Sequence, residues 1–360
     1  MAQQFLVFPE AESLTREEKL FIVSMDNRDN PFRGFVGNKG TVKRISRLAF
    51  EALGSRSHRA NGVSFSLLGP AGCGKTTVAR KFAEMIDLTF VEGDPQSFKN
   101  NESLFEEIKK KLSEDNIELS SDENGVFDCP PIVLFIDEVH QLSEAVQNGL
   151  LTATDPKTAT LTLPDGTRMK TDMICWIIAT TDRGKLFDAF DTRFAKFTLQ
   201  AYTAEEMAQI VQVHNPDMSI GECKLVSKYA GWVSREALMF VQEARIERKM
   251  QGCSWEQAIE TIRLEQRIDS WGMSEDRLAI LVALGQRGPI SLANLSNVVR
   301  GLKTEELIKY ILPPMRMTTP DRDPLLQNNG RGTWITEAGI KELVKRGIKY
   351  DIARALPKVA

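Results

Sequence analysis

Residues 69–76 read Gly69-Pro70-Ala71-Gly72-Cys73-Gly74-Lys75-Thr76, which fits the phosphate-loop pattern GxxxxGK[ST]. An apolar stretch at 63–68 precedes this motif and predicts a buried strand, and the residues from about Lys75 onward predict a helix. A glycine-rich turn between a strand and a helix is the context that the pattern requires. The stretch therefore predicts an α/β fold in which one strand ends at a phosphate-binding loop.

The chemistry of such a loop explains its residue types. Small residues leave backbone N–H groups accessible to phosphate oxygens, and the helix N-terminus adds a positive dipole end. We expect Lys75 to contact the β- and γ-phosphates and the Thr76 hydroxyl to ligate Mg²⁺. The alternative is a glycine-rich turn without a ligand. Cys73 is either a reactive thiol at a helix start or a packing residue, and the packing residue is the favoured interpretation. The expected nucleotide-binding residues of this loop are Gly69, Pro70, Ala71, Gly72, Cys73, Gly74, Lys75, Thr76 and Thr77.

A second polar site follows the apolar stretch Ile132–Ile136, which predicts a strand buried on both faces. Asp137 and Glu138 come directly after it. Ligands bind beyond the carboxyl ends of the strands in open α/β sheets. We therefore expect Asp137 to hold Mg²⁺ through water and Glu138 to orient or deprotonate an attacking water. The alternative is a strand that ends in two solvated acids, and His140 is interpreted as a packed or surface histidine rather than a ligand.

Three further groups follow in a fixed order along the chain. Thr181 lies two residues after the apolar stretch 173–179, at the strand end where a polar side chain would lie beside the γ-phosphate. Arg193 stands next to Phe194, and Arg235 begins a predicted helix. Each arginine alone is most simply a surface cation, so the order of the motifs carries the inference.

This order of motifs resembles that of the AAA+ ATPases and, more narrowly, that of the RuvB family of Holliday-junction branch-migration motors. The matching stretches are residues 35–38, 69–77, 133–146, 179–186, 191–194 and 330–339. The resemblance implies that Thr181 is sensor 1 and that Arg235 is sensor 2. It implies that Arg193 is an arginine finger acting on ATP held by a neighbouring subunit, and that Phe35 and Val36 pack on adenine. ATP and Mg²⁺ are then the expected cofactors, in a homo-oligomeric ring that we expect to be a hexamer.

The resemblance also implies a fold and a domain order. The expected fold is an α/β P-loop AAA+ core, a parallel sheet with helices on both faces, followed by an α-helical lid and a C-terminal winged-helix domain. The expected domains are an N-terminal extension (1–30), the nucleotide-binding core (31–200), the lid (201–268), a winged-helix DNA-binding domain (269–346) and a tail (347–360).

The C-terminal part carries the predicted DNA contacts. Helices are predicted at 274–286, 291–298 and 303–311, with a wing at 325–335. Residues 266–360 hold 15 Lys and Arg against 10 Asp and Glu, a balance of +5, and the preceding residues carry −8. A basic domain of this type is expected to bind duplex or four-way-junction DNA, and the alternative is a winged helix that binds protein. The candidate DNA contacts are Arg331, Arg316, Arg322 and Lys303.

Three segments depart from the family pattern. Threonine-rich arms around a Pro164-Asp165-Gly166 turn predict a hairpin at 158–171. This hairpin looks shorter than the RuvB insertion that contacts RuvA, which argues against a RuvA-like partner. Residues 114–130 are predicted to be a surface loop, and residues 312–326 an irregular stretch.

The composition sets wider limits. The chain has 360 residues, of which 42% are hydrophobic and 26% charged, so it is not a mostly disordered chain. No apolar stretch approaches the roughly 20 residues of a membrane span, and the N-terminus shows no signal-peptide pattern. The five cysteines include no CxxC pair, which favours a reducing, cytoplasmic location.

The leading hypothesis is therefore an ATP-driven ring motor on duplex or branched DNA, with Holliday-junction branch migration as its task. The alternative is an AAA+ loader, clamp-loader subunit or transposition regulator that uses ATP as an assembly switch. A third reading, a degenerate scaffold that binds nucleotide without turnover, is disfavoured because Lys75, Thr76, Asp137, Glu138, Thr181, Arg193 and Arg235 are all of the required types.

Overall fold

The computed structural model describes residues 20, 22–24, 27–54, 63–114, 117–182, 184, 186–299, 302–329 and 332–351. The chain divides into two compact units, one of residues 1–69 and 74–199 and the other of residues 70–73 and 200–360. The predicted extension (1–30) and tail (347–360) lie mostly outside the described residues. The domain boundaries expected from the sequence remain predictions.

The first unit contains one parallel sheet and one smaller mixed sheet. Its strands are β1 (Phe65–Leu68), β2 (Thr89–Gly93), β3 (Ser120–Ser121), β4 (Val126–Asp128), β5 (Ile132–Ile136), β6 (Thr160–Thr162), β7 (Arg168–Lys170), β8 (Ile174–Thr180) and β9 (Ala195–Thr198). Five of them form the parallel sheet, in the order β2-β5-β8-β1-β9. The predicted strands at 63–68, 132–136 and 173–179 are confirmed, whereas β2 and β9 were not predicted.

The central strand of the parallel sheet, β8, and its neighbour β5 are its most buried strands. Every residue of both strands is buried, as expected for parallel strands that are covered on both faces. Trp176 and Leu134 lie in one apolar cluster with residues of three of the helices. The helices of this unit are α1 (Lys39–Gly54), α2 (Lys75–Ile86), α3 (Asn101–Glu114), α4 (Glu144–Ala153) and α5 (Asp188–Asp191).

The smaller sheet corrects the prediction for residues 114–130. Instead of forming only a surface loop, this segment contributes β3 and β4, which pair with the predicted hairpin in the order β3-β4-β7-β6. The cause is the turn between them. Gly125 has a φ of 72°, and the Asp122 carboxylate accepts hydrogen bonds from the backbone N–H groups of Asn124 and Val126. Asn-Gly at a hairpin turn favours such left-handed backbone.

The second unit begins with four helices, as predicted for 203–265. They are α6 (Ala204–His214), α7 (Ile220–Tyr229), α8 (Ser234–Gln251) and α9 (Trp255–Glu265). Three of them begin at a capping box, in which a Ser or Thr side chain and the side chain three residues later satisfy each other's backbone N–H groups. Local sequence therefore fixes where these helices start.

The C-terminal half of this unit has the helices and hairpin of a winged helix. Its elements are α10 (Glu275–Arg287), α11 (Leu292–Val298), α12 (Thr304–Glu306), a π-helical segment (Leu307–Ile311), α13 (Leu312–Arg316), β10 (Leu326–Asn329), β11 (Gly332–Ile335) and α14 (Glu337–Lys345). The strands pair antiparallel and form the predicted wing.

The irregular stretch predicted from residue 312 is wrong at its start. Helix α13 continues the chain from the π-helical segment as far as Arg316, with proline in its first turn. Proline is tolerated there because its missing N–H is not needed. Within the described part of the chain, no helix has both the length and the apolar character to cross a membrane.

The buried centre of the parallel sheet predicts a large loss of stability on truncation. Leu134 is 1% exposed, and Leu134→Ala removes buried methyl groups and leaves a cavity, so we expect unfolding free energy to fall by about 2–5 kcal/mol. Urea unfolding followed by circular dichroism measures this. The matched control is Leu264→Ala, because Leu264 is 60% exposed and should change stability by less than about 0.5 kcal/mol. Equal losses in the two variants would contradict this account of the core.

Candidate nucleotide site

The parallel sheet places three candidate segments at one edge. Strands β5, β8 and β1 are consecutive neighbours in the sheet, and Leu68 pairs with Thr180 while Ile136 pairs with Ile178. Parallel strands end at the same edge, so the residues that follow them come together there.

Lys75 is held at the start of the loop helix. Its side chain is buried, at 6% exposed, and its Nζ donates a hydrogen bond to the Gly69 carbonyl at 3.0 Å. The Gly69 N–H in turn donates to the Thr180 carbonyl at 3.3 Å. Gly72 and Gly74 have φ values of 76° and 90°, which only glycine adopts without strain. The lysine is therefore tied to the first residue of the loop.

The remaining loop residues differ in exposure. Thr76 is half-buried in the first turn of α2, and Thr77 and Ala71 are exposed. Pro70 is half-buried, and Cys73 is 1% exposed. Such burial fits the interpretation of Cys73 as a packing residue rather than a reactive thiol.

Asp137 and Glu138 follow β5 with an unusual backbone. The Asp137 Oδ1 accepts a hydrogen bond from the Glu138 N–H at 2.9 Å. Glu138 has a φ of 47°, a left-handed conformation that is strained for a residue other than glycine, and such strain clusters at functional sites. This turn leads directly into the 3₁₀ segment Val139–Gln141.

Glu138 and Thr181 meet across the two neighbouring strand ends. The Glu138 Oε2 accepts hydrogen bonds from the Thr181 hydroxyl at 2.9 Å and from the Thr181 N–H at 3.2 Å. The predicted base and the predicted sensor are thus in direct contact.

His140 belongs to the same cluster, which the sequence reasoning missed. Its Nδ1 lies 2.9 Å from the Thr180 hydroxyl and 3.2 Å from the Glu138 Oε2. The signal in the sequence was its position two residues after Glu138, because a tight turn after a strand returns the second residue to the strand end.

The oxygen atoms at this edge fit a magnesium ion. Among the described residues, no group of three or more His, Cys, Asp or Glu could hold a metal by itself. Mg²⁺ does not need such a group, because it keeps several waters and binds through one or two protein oxygens together with substrate phosphates. The Thr76 hydroxyl and the Asp137 carboxylate are oxygen donors of this kind.

Arg193 is engaged by a carboxylate of its own chain. Its guanidinium forms a hydrogen-bonded ion pair with Asp155, and both side chains are partly exposed. The hydrogen bond from Arg193 holds the pKa of the Asp155 carboxyl below its usual value. Phe190 and Phe194, on either side of this arginine in sequence, stack edge-to-face at 5.1 Å and fix the local backbone.

The other nucleotide-site candidates occupy separate positions. Phe35 and Val36 are half-buried, and the Phe35 ring lies edge-on to the buried ring of Phe32 at 6.2 Å. Arg235 is exposed in the first turn of α8. Its neighbour Ser234 was not singled out from the sequence. The Ser234 hydroxyl donates to the Gly72 carbonyl at 2.9 Å, within the unit that includes residues 70–73.

The candidate DNA contacts differ in how available their charges are. Lys303 is exposed, whereas Arg316 donates to the Thr333 hydroxyl at 2.9 Å and Arg322 donates to the Pro314 carbonyl at 3.3 Å. Burial lowers the pKa of both guanidinium groups. Arg316 and Arg322 therefore point into their own unit in this conformation. Arg331 lies outside the described residues.

Comparison with known proteins gives a family match and several similar relatives. Residues 65–202 match the family described as "ATPase family associated with various cellular activities (AAA)". The "Holliday junction branch migration complex subunit RuvB" of Mycoplasma pneumoniae is 28% identical over 203 residues, 53% of this chain and 58% of that protein. The protein of the same description from Campylobacter hominis is 24% identical over 344 residues, 91% of this chain and 92% of the relative.

Solved structures agree on the fold. The structure titled as the Thermotoga maritima RuvB Holliday junction branch migration motor superposes with a TM-score of 0.64 at 20% sequence identity, and the match covers 88% of this chain and 97% of that one. Together with the phosphate loop, the Asp-Glu strand end and the winged-helix elements, these similarities show a divergent AAA+ ATPase that resembles RuvB and has an α/β P-loop core, a helical lid and a C-terminal winged helix.

Proposed function

We propose that this protein is an ATP-driven ring motor on duplex or branched DNA, with Holliday-junction branch migration as its task. The observation that carries the proposal is the contact between Glu138 and Thr181 at the edge of the sheet where Lys75 begins the loop helix. A candidate base, a candidate phosphate sensor and a phosphate-binding lysine are the groups that ATP hydrolysis needs. Branch migration is proposed as the task because the relatives are named as RuvB.

Each residue has a distinct role in this proposal. The loop N–H groups and Lys75 bind the phosphates, and Phe35 and Val36 pack on adenine. Thr76 and Asp137 hold Mg²⁺, which neutralises charge on the phosphate oxygens when bound. Glu138 orients and deprotonates the attacking water, and Thr181 positions it near the γ-phosphate.

The proposed assembly is a homo-oligomeric ring, a hexamer, because Arg193 acts on ATP in the neighbouring subunit. In such a ring one subunit cannot complete its own site. An arginine finger of this kind contributes about 10³–10⁵ in rate. Arg235 on the lid is the proposed sensor 2, which responds to the bound nucleotide.

The proposed DNA interface is the winged helix, with Lys303 and Arg331 as phosphate contacts. Phosphate contacts hold a duplex without reading its sequence, which suits a motor. Arg316 and Arg322 would have to leave their present hydrogen bonds to join them.

Two further proposals concern partners and location. The 158–171 hairpin is short and is paired with β4, so we propose that the protein acts without a RuvA-like partner. None of the five cysteines forms a disulfide, in keeping with a reducing, cytoplasmic compartment.

The role of Glu138 is tested by Glu138→Gln. The amide keeps the size of the side chain but cannot take a proton, so we expect ATP binding to persist and hydrolysis to slow by about 100-fold or more. Single-turnover hydrolysis and nucleotide-binding titrations measure the two effects. Glu106→Gln is the control, because Glu106 is exposed on α3. Near-normal hydrolysis by Glu138→Gln would remove it from the chemistry.

The shared site is tested by mixing two inactive variants. Arg193→Ala subunits retain Lys75, and Lys75→Ala subunits retain Arg193, so random 1:1 mixing creates complete sites at about a quarter of the interfaces. We expect steady-state ATPase activity to recover by a similar fraction. The control mixes Arg193→Ala subunits with the double variant Lys75→Ala/Arg193→Ala, which supplies no finger. If no ratio restores activity, the trans role of Arg193 is wrong.

The motor itself is tested on a synthetic four-way junction, with ATP and without RuvA. We expect the wild-type protein to dissociate the junction by branch migration and Lys75→Ala to leave it intact, because that variant lacks the phosphate contact. Gel separation of the labelled products measures movement. If the wild-type protein hydrolyses ATP and binds the junction without moving it, the motor proposal fails and a loader role takes its place.

A further inference from the structure

The Glu138 carboxylate is held through one of its two oxygens. Oε2 is approached by the Thr181 hydroxyl at 2.9 Å, the Thr181 N–H at 3.2 Å and His140 Nδ1 at 3.2 Å. No residue in the described part of the chain donates a hydrogen bond to Oε1. The side chain is 29% exposed, so water reaches the carboxylate. The arrangement therefore fixes the group by Oε2 and leaves Oε1 to a water molecule.

The position of His140 decides which ring nitrogen carries its proton. An ionised carboxylate only accepts hydrogen bonds. A bare Nδ1 at 3.2 Å from Oε2 would set two lone pairs against each other, whereas an Nδ1–H is attracted to the carboxylate and can be shared between it and the Thr180 hydroxyl. The hydrogen bonds of the ring nitrogens set the tautomer of a histidine, so the carboxylate beside Nδ1 favours the Nδ1–H form.

The second contact of His140 ties the ring to the sensor strand. The Thr180 hydroxyl lies 2.9 Å from Nδ1 and also accepts a hydrogen bond from the Asp182 N–H at 3.0 Å. Thr180 is 2% exposed and ends β8, so it is a rigid anchor. The His140 side chain is 14% exposed, and it fills the space between the ends of β5 and β8.

The backbone explains how a residue so close in sequence reaches Glu138. The left-handed turn at Glu138 and the following 3₁₀ segment reverse the chain. Residue 140 thereby returns over the strand edge and faces the carboxylate of residue 138. A straight helical start after β5 would carry this side chain away from Thr180.

We propose that His140 is a positioning residue for ATP hydrolysis, which with Thr181 fixes the Glu138 carboxylate so that Oε1 faces the attacking water. This inference rests on the proposed role of Glu138 as the base. The proton from water passes to Oε1, and the imidazole keeps its own proton throughout. In this proposal His140 acts on the reaction only through Glu138.

The test is a set of substitutions that differ in where they place a donor. In His140→Asn the amide nitrogen is as many bonds from the backbone as Nδ1, whereas in His140→Gln it is one bond further out. His140→Leu has no donor. We expect Leu and Gln to lower the single-turnover rate of ATP hydrolysis by about 10- to 100-fold, as for a misplaced catalytic group, and Asn to recover most of the rate.

Binding measurements separate positioning from a structural role. Since His140 acts on the base alone, the affinity for ATP should stay within about 2-fold of wild type in all three variants. His214→Leu is the matched control, because His214 is exposed at the end of α6 and should change neither quantity. The proposal is overturned if His140→Leu hydrolyses ATP normally, if Asn is as impaired as Leu, or if ATP affinity falls as far as the rate.

A spectroscopic test does not depend on turnover. The chain has only three histidines, so ¹⁵N-imidazole labelling with His58→Asn and His214→Asn variants assigns the His140 signals. We expect the Nδ1–H tautomer in the wild-type protein and a larger Nε2–H population in Glu138→Ala. A wild-type protein with His140 in the Nε2–H form would overturn the proposal.

Failure of this inference and failure of the proposed function are distinguishable. If the wild-type protein hydrolyses ATP but does not move a junction, the motor proposal fails and the His140 results stand. If junction movement and hydrolysis survive His140→Leu while Glu138→Gln abolishes both, the motor proposal stands and His140 is only a packing residue.

Discussion

The parallel pairing of β5, β8 and β1 through their backbone hydrogen bonds is the constraint on which the rest of the site depends. Parallel pairing brings the ends of three strands that are far apart in sequence to one edge, and the register sets Leu68 beside Thr180. A slip of one residue would turn every buried side chain to the opposite face. Because β5 and β8 are wholly buried, packing in the core also fixes the geometry of the polar groups beyond the ends of these strands.

The polar groups at this edge are positioned by one another as well as by the strands. Glu138 adopts a strained backbone conformation, and its carboxylate is contacted by Thr181 at the neighbouring strand end and by His140 in the 3₁₀ segment that follows. Strain of this kind persists where surrounding contacts over-determine it. The two strand ends therefore form one linked unit, in which a displacement of Thr181 also displaces the predicted base.

The parts of the fold that the sequence predicted are those with strong local signals. The apolar run Ile132–Ile136 and the glycine pattern at 69–76 each identify their element without tertiary information. The two outer strands β2 and β9 were missed because they are only partly buried and hold few apolar residues in a row, so they lack the continuous apolar signal of β5. The hairpin of β3 and β4 carried an Asn124-Gly125 signal, but its pairing with β7 depends on a contact distant in sequence.

The candidate site also has one part that local sequence predicts and another that depends on tertiary contacts. Residue types and motif order were enough to predict that Lys75, Asp137, Glu138 and Thr181 follow strands that end at one edge of the sheet. The role suggested for His140 needed the turn at Glu138, which depends on backbone dihedral angles rather than on composition. The inward orientation of Arg316 and Arg322 also depends on tertiary contacts, because a count of basic residues does not distinguish a charge that faces solvent from one that its own fold has engaged.

The ion pair between Arg193 and Asp155 has a consequence for assembly. In a ring, a phosphate of the neighbouring subunit would compete with Asp155 for the guanidinium, and not with water alone. Moving the Arg193 guanidinium from Asp155 to the phosphate would exchange one charge-assisted hydrogen bond for another. The free-energy change of this exchange is then a small difference between the energies of two similar hydrogen bonds. If Arg193 acts as proposed, a subunit without neighbours keeps its guanidinium neutralised by Asp155, and the affinity between subunits would depend on whether the nucleotide across the interface carries the terminal phosphate.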